Sequence, residues 1–445
     1  MSDLPNGWIP ASLEDVAAWS SGGTPSRSKP AYYSGAIPWF KTGELGPRVL
    51  RRSEEHISED AIGASSAKLF PKGSVAIAMY GATIGKTSIF GIDAATNQAC
   101  AVGIPEAVSS EFLYYFLVSQ EKGFVDAGKG GAQPNISQGI VKAWSIALPP
   151  VAEQTRIVAK LEELLSDLDA GVAELKIAQK KLGQYRQSLL KAAVECSDSG
   201  EPYPKLTLGE LVTSIGQGWS PKCKRELATD DEQWAVMKTT AIQPLAFDGS
   251  HNKALPVELK PRMNLELKPG DLLVTRAGPR NRVGITCLVR KTRPKLILCD
   301  KAYRIRCDEK RIDPNFLELA LNAPHMVQRI DELKTGISDS GLNLTQDRFF
   351  TLDIPLPTIE EQRIIVERIN AQVAMIQDQE QFLEVSLKQS AAQRKNILKA
   401  AFSGQLVPQD PNDEPASVLL ERIRAERVER DAVKKPRGRT TKETT

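Results

Sequence analysis

The residues of this chain with chemical potential are few, and most fail on spacing. Gly81-Ala82-Thr83-Ile84-Gly85-Lys86-Thr87 invites comparison with a phosphate-binding loop. That loop needs four residues between its glycines, so that backbone N–H groups can cradle phosphates and the lysine can reach them. Here three residues intervene, Tyr80 occupies the required first glycine position, and no acidic strand end for magnesium follows. An ordinary glycine turn with Lys86 exposed is the simpler reading. The chain has no Asn-Pro-Pro-Tyr or Asp-Pro-Pro-Tyr stretch to grip a flipped adenine, and no glycine fingerprint for a methyl donor. No acidic-pair-plus-lysine nuclease set, no Gly-x-Ser-x-Gly elbow and no catalytic triad stands out. By elimination the chain is not an enzyme alone.

One patch has a clear chemical bias. From Lys260 to Arg311 there are 15 Lys/Arg and five Asp/Glu, an excess of ten positive charges. Its centre is Thr275-Arg276-Ala277-Gly278-Pro279-Arg280-Asn281-Arg282. Gly and Pro make it a loop, and guanidinium forks suit guanine edges and phosphates. Arg276, Arg280 and Arg282 are therefore candidate DNA contacts, with Lys222, Lys224 and Lys238 earlier in the same segment. The competing reading is a solvated basic face. Replacing Arg280 or Arg282 with Ala is expected to weaken or relax reading of one half of a DNA site. The first 147 residues carry 12 Lys/Arg against 13 Asp/Glu. Their candidates, Arg27, Lys29, Lys41, Arg48, Lys86 and Lys129, rest mainly on the duplication described next. Trp39 and Trp234 read as core residues.

Two long helices must position these residues. Leu148-Pro149-Pro150-Val151-Ala152-Glu153-Gln154 recurs as Leu356-Pro357-Thr358-Ile359-Glu360-Glu361-Gln362, and positions 148 and 356 differ by 208. The same offset still aligns Leu190-Lys191-Ala192-Ala193 with Leu398-Lys399-Ala400-Ala401. No gap is needed, so the helices have matching lengths. Leu161, Leu168, Leu175, Leu182 and Leu189 recur every seventh residue; Ile369, Ile376, Leu383, Ser390 and Ile397 do so in the second copy. This is heptad patterning, and it predicts two helices of about forty residues, roughly 60 Å each, that pack on one another. A core helix of a larger domain is the alternative, and the pattern leaves orientation open. The flanking segments repeat more weakly. Trp39 meets Trp234 at an offset of 195, and Asn135-Ile136-Ser137 meets Asn343-Leu344-Thr345 at 208, a net insertion of 13. Phe70-Pro71-Lys72-Gly73-Ser74-Val75 resembles Leu267-Lys268-Pro269-Gly270-Asp271-Leu272.

The order is domain, helix, domain, helix: 1–147, 148–196, 197–355 and 356–403. A C-terminal segment with a short helix (404–430) and a basic tail expected to be disordered (431–445) complete the chain. With 445 residues and 41% hydrophobic content, the chain is long enough for two or three cores. A net charge of +3 makes whole-chain charge a weak nucleic-acid signal. No apolar run reaches membrane-spanning length. Six cysteines without CxxC pairing, three histidines without zinc spacing and an N-terminus without signal-peptide character point to a cytoplasmic protein without a metal.

The chain resembles the specificity (S) subunit of Type I restriction-modification enzymes. The resemblance is carried by the two helix openings, their Leu-Lys-Ala-Ala endings, Gly22-Gly23-Thr24-Pro25 with Ile37-Pro38-Trp39, the two Asn-x-Ser/Thr stretches and Ala401-Phe402-Ser403-Gly404-Gln405-Leu406-Val407-Pro408. It implies an α+β chain: two α/β target recognition domains separated by two long antiparallel coiled-coil helices, in an internal pseudo-twofold repeat. Each domain would read one half of a split double-stranded DNA target. The helices would set the gap and dock two modification (methyltransferase) subunits, with two restriction subunits in the full assembly and no membrane. The spacer and docking candidates are Gln154, Leu161, Leu168, Leu175, Leu182, Leu189, Gln362, Ile369, Ile376, Leu383 and Ile397. S-adenosylmethionine, ATP and magnesium would belong to the partners, with none bound by this chain. One departure is Gly216-Gln217-Gly218-Trp219-Ser220-Pro221 where the first domain has Gly22-Gly23-Thr24-Pro25. The rival reading, a coiled-coil scaffold with two protein-binding domains, predicts no salt-dependent DNA binding.

Overall fold

The computed structural model describes residues 4–128, 134–195, 197, 200–223, 226–228 and 230–434. Lys129, Lys224 and positions 435–445 of the basic tail lie outside the described residues, whereas 431–434, expected to be disordered, continue a helix. Both long helices are present, Val151–Glu195 with 45 residues and Ile359–Phe402 with 44. Proline precedes each start, where no N–H is needed. The second start also has a capping box: Glu361 accepts from the Thr358 N–H at 2.9 Å, and the Glu361 N–H donates to Thr358 Oγ1 at 3.3 Å. A third helix, Ala416–Lys434, follows. Among the described residues no helix is long and apolar enough to cross a membrane.

The chain divides into two units, Met1–Glu174 with Ser386–Thr445, and Leu175–Val385. In the first unit a five-stranded sheet runs in the order Ala17–Ser21, Cys100–Pro105, Val75–Ala78, Thr87–Phe90, Val49–Leu50. A smaller sheet places Ile37–Phe40 between Glu55–Ile57, antiparallel, and Ala95–Thr96, parallel. The second unit repeats the plan. Its larger sheet runs Val212–Gln217, Ala302–Cys307, Leu272–Thr275, Thr286–Leu288. Its smaller one places Ala235–Met237 between Asn252–Ala254, antiparallel, and Leu296–Ile297, parallel. An antiparallel strand pair clasps the ends of each repeat: Ile9–Ser12 with Ser145–Leu148, and Lys205–Thr207 with Asp353–Pro355. The ladders correct one expectation. Trp39 pairs with Glu55 and Ala95. The Phe70 N–H donates to the Ala94 carbonyl as the Leu267 N–H donates to the Leu296 carbonyl, both at 2.8 Å, so Ile297 stands where Ala95 does; its ladder partner is Val236, which also pairs with Lys253. The offset there is 197, so Trp39 does not match Trp234. Trp39 is a core residue at 2% exposure, whereas Trp234 is half-buried.

Each unit buries one end of each long helix. In the first, Ile157, Leu161 and Leu165 share a core with Leu398 and Ala401, with Phe112 and Phe116 of the helix Ser110–Ser119, and with Leu420 and Ile423 of the C-terminal helix. In the second, Leu190 and Val194 share a core with Ile365, Ile369, Phe316 and Leu317. The helices pack antiparallel. In the second unit 189–193 lies beside 368–372, 178–182 lies beside 379–383, and Arg186 pairs with Glu380 at 3.7 Å. In the first unit Asp169 pairs with Arg394. Of the expected seam, Leu161, Ile369 and Ile376 are buried, and Leu168, Leu175, Leu182, Leu189, Leu383 and Ile397 are half-buried. Half-burial along a heptad stripe is the signature of a two-helix pair, which leaves its flanks in water.

Gln154 and Gln362 are 3% and 0% exposed, so each is an anchor within its own unit. Gln154 Nε2 donates to the Pro149 and Ala107 carbonyls at 3.0 and 3.2 Å. Gln362 Nε2 donates to the Pro357 and Arg311 carbonyls at 2.9 and 3.1 Å, and its Oε1 accepts from the Asp313 N–H at 2.7 Å. Each amide thus ties a helix start to the segment after the last strand of the larger sheet. Gln362→Ala leaves three backbone groups without partners and is expected to lower stability by about 1–3 kcal/mol, read as a lower denaturant midpoint with an unchanged slope.

Candidate nucleic-acid interface

Strand register gathers the candidate loops at one end of each larger sheet. In the second unit Thr275 faces Ala302, Val274 faces Thr286, and Gln217 faces Tyr303. The segments leaving these strand ends, from 218, 276–285 and 298–301, therefore emerge together. In the first unit Ser21 faces Ala101, Ala78 faces Cys100, and Ile77 faces Thr87. Gly22-Gly23-Thr24-Pro25, 79–86 and 97–99 occupy the matching end.

The failed phosphate loop and the arginine loop occupy the same place in the two repeats. The Ile136 N–H donates to the Met79 carbonyl at 2.9 Å, and the Leu344 N–H donates to the Arg276 carbonyl at 2.8 Å. Tyr80 bridges to Asn135, as Ala277 pairs with Asn343. Both loops close on a glycine with φ of +84°, Gly85 and Gly284. At Gly284 a Cβ would come within 2.3 Å of the Ile330 side chain, so only glycine fits the approach. The two Asn-x-Ser/Thr stretches are thus latches on equivalent loops.

All three arginines of the second loop are engaged by protein acceptors. Arg276 Nη1 donates to the Asp300 carbonyl at 3.2 Å and the guanidinium lies 5.4 Å from the Tyr303 ring centroid. Arg280 pairs with Asp331 at 2.7 Å and Asp339 at 3.0 Å. Arg282 Nη2 donates to the Thr239 and Ile242 carbonyls at 2.7 and 2.8 Å, and burial pushes its pKa down. Lys334 donates to the Arg280 carbonyl at 2.8 Å and to Asp331 at 2.6 Å. These acceptors stand 24 to 59 positions away in sequence, and no local pattern announced them. Lys238 is half-buried before the turn Thr239–Ala241, and Lys222 is exposed.

In the first unit Arg27 pairs with Glu55 at 2.6 Å and covers the Tyr33 ring at 4.1 Å. Lys41 pairs with Glu54 and Glu55 at 3.1 and 3.0 Å. Lys29 reaches the Tyr32 hydroxyl at 3.2 Å. Arg48 pairs with Glu162 of the first long helix, while Lys86 is exposed beside Gly85. Arg27 and Lys41 thus share Glu55, and Lys86 belongs to the loop that matches the arginine loop. Among the described residues no group of His, Cys, Asp and Glu could hold a metal ion.

The family model for the Type I restriction modification DNA specificity domain matches residues 5–176. The EcoEI specificity subunit of Escherichia coli is 33% identical over 50% of this chain and 39% of its own length. The EcoR124I/EcoR124II specificity subunit of Escherichia coli is 30% identical over 40% of this chain and 46% of its own. The chain thus matches less than half the length of these two relatives. The EcoKI specificity subunit of Escherichia coli K12 aligns over 96% of both chains at 24% identity. Among solved structures, a chain from work on complex assembly and conformational transition of the type I R-M system superposes with a TM-score of 0.72. It is 19% identical, and the match covers 91% of this chain and 100% of that one. The HsdS subunit from Thermoanaerobacter tengcongensis gives 0.53 at 19% identity, over 91% and 98%. These two share the fold.

A hydrogen bond from Lys334, with help from Arg280, holds the Asp331 carboxyl below its ordinary 3.8. A depressed native pKa contributes stability above the unfolded value and loses it as pH falls through the native value. Asp331→Asn is therefore expected to lower the denaturant midpoint at pH 7. The two midpoints should converge as the pH falls through the depressed native value.

Proposed function

We propose that the chain is a specificity subunit of a Type I restriction-modification enzyme, a reading supported by the family model over residues 5–176 and by its similarity to curated specificity subunits. It recognises double-stranded DNA in two halves, one per repeat, and carries that recognition into a larger complex in the cytoplasm. The observation that carries this reading is the matched pair of loops, 79–86 and 276–285, at the same sheet end of two units with the same topology. Equivalent frameworks with different loop side chains suit two readers of different base sequences. Phosphate contacts would fix position, and contacts to base edges would choose the sequence. The recognition domains are 1–147 and 197–355. The helices of 148–196 and 356–403 set the gap between half-sites and dock two modification subunits. Exposed Ile177, Tyr185, Met375 and Phe382 lie on these helices within the second unit. Two restriction subunits complete the assembly. Adenine methylation and ATP-driven translocation and cleavage then occur on partners, which hold S-adenosylmethionine, ATP and magnesium. The chain itself supplies no catalytic group and binds no cofactor.

The test is a genome-wide map of methylated adenine in cells carrying the partner subunits, with and without this gene. Loss of a two-part motif with a fixed gap on deletion is the expected result, and exchanging residues 1–147 should alter one half alone. An unchanged map with active partners would contradict the reading. Binding that is insensitive to salt would favour the protein-binding scaffold instead, because each phosphate neutralised steepens the salt slope by about 0.9.

A further inference from the structure

The arginines of the 276–284 loop were the obvious base readers, yet each is committed to the protein. Between two of them stands Asn281, exposed, with no hydrogen-bond partner for its amide among the described residues. Its neighbours are fixed on both sides. The Arg280 N–H donates to the Asp339 carbonyl at 2.8 Å, and the Arg280 carbonyl accepts from Lys334 at 2.8 Å. The Arg282 N–H donates to the Pro279 carbonyl at 2.8 Å, and its guanidinium holds Thr239 and Ile242. The turn Arg280–Arg282 is thus braced from two separate loops, and an open groove lined by Pro279, Asn281, Gln328 and Asp331 runs beside it.

We propose that Asn281 is a base-reading residue of the second half-site, and that it recognises adenine. This rests on the DNA-recognition reading above. A carboxamide offers one acceptor and two donors in one plane, which matches N6 and N7 of adenine in the major groove. A short side chain on a braced turn is held near its bound geometry before DNA arrives, so little ordering remains to be done on binding. The surrounding excess of Lys and Arg draws in the duplex without selecting a sequence. Arg280 and Arg282 act here as positioning residues.

The experiment uses the assembled complex with its modification partners and compares wild type with Asn281→Ala and Asn281→Asp. Methylated adenines are mapped genome-wide, and affinity is measured against salt on duplexes varied at each position. Asn281→Ala should melt with wild type and keep its salt slope. It should lose roughly tenfold to a hundredfold discrimination at one position of one half-site, with the other half and the gap unchanged. Asn281→Asp, an acceptor only, should shift that position toward the base pair that presents the cytosine amine. Unaltered base preference in Asn281→Ala overturns the proposal, whether affinity is retained or falls uniformly. A wild-type complex that produces no two-part motif contradicts the DNA-recognition reading itself, and that result is visible before any variant is made.

Discussion

Two helices of 45 and 44 residues cannot bury their apolar stripes alone. Everything else in this chain answers that constraint. At one end the stripe of the first helix (Ile157, Leu161, Leu165) enters a core built by the first repeat and the C-terminal helix. At its other end Leu190 and Val194 enter the core of the second repeat. Between these ends the side chains are only half-buried, so a partner helix on one side suffices. Where packing cannot reach, hydrogen bonds finish the attachment. Gln154 and Gln362 sit at the same position of each helix and bond to carbonyls on the same part of each repeat.

The repeats share a framework and differ where the framework ends. Glycines with positive φ are kept at equivalent turns, Gly73 with Gly270 and Gly85 with Gly284, because the backbone there excludes a Cβ-bearing residue at low cost. The ladders on either side are also kept. Between Gly81 and Gly85 the first loop carries Ala82, Thr83 and Ile84, whereas between Gly278 and Gly284 the second carries Pro279, Arg280, Asn281, Arg282 and Val283. Two extra residues and three long or polar side chains fit because Pro279, Arg280 and Asn281 are exposed, while Val283, like Ile84, keeps the end of the loop in its unit's core. A fold that fixes a loop's base in the core and turns its tip toward solvent can exchange the exposed side chains there without repacking.

The sequence showed the helices clearly, because a seven-residue period over five turns of the pattern survives local noise. It also showed the duplication, the latch stretches and the glycine turns, each a short-range signal. Pairings formed across the fold were invisible. Arg280 meets Asp331 and Asp339, 51 and 59 residues away, and Arg282 meets Thr239, 43 residues away. Composition counts a charge without saying whether it is already neutralised. The match of Trp39 with Trp234 failed for a related reason. Identical residue types invite alignment, but strand register decides equivalence, and it selects Val236. The glycine loop failed as a phosphate site and became informative only beside its counterpart.

The proposal that helix length sets the gap between half-sites has the most direct test. Removing one heptad from each helix, 175–181 from the first and 379–385 from the second, keeps the seam in phase. It shortens the pair by roughly 10 Å at 1.5 Å per residue. At about 3.4 Å per base pair that is some three base pairs. The methylation map of cells carrying the shortened chain should show both half-sites unaltered, with the gap reduced by about that number. A folded, active variant that keeps the original gap would contradict the role of these helices as the ruler.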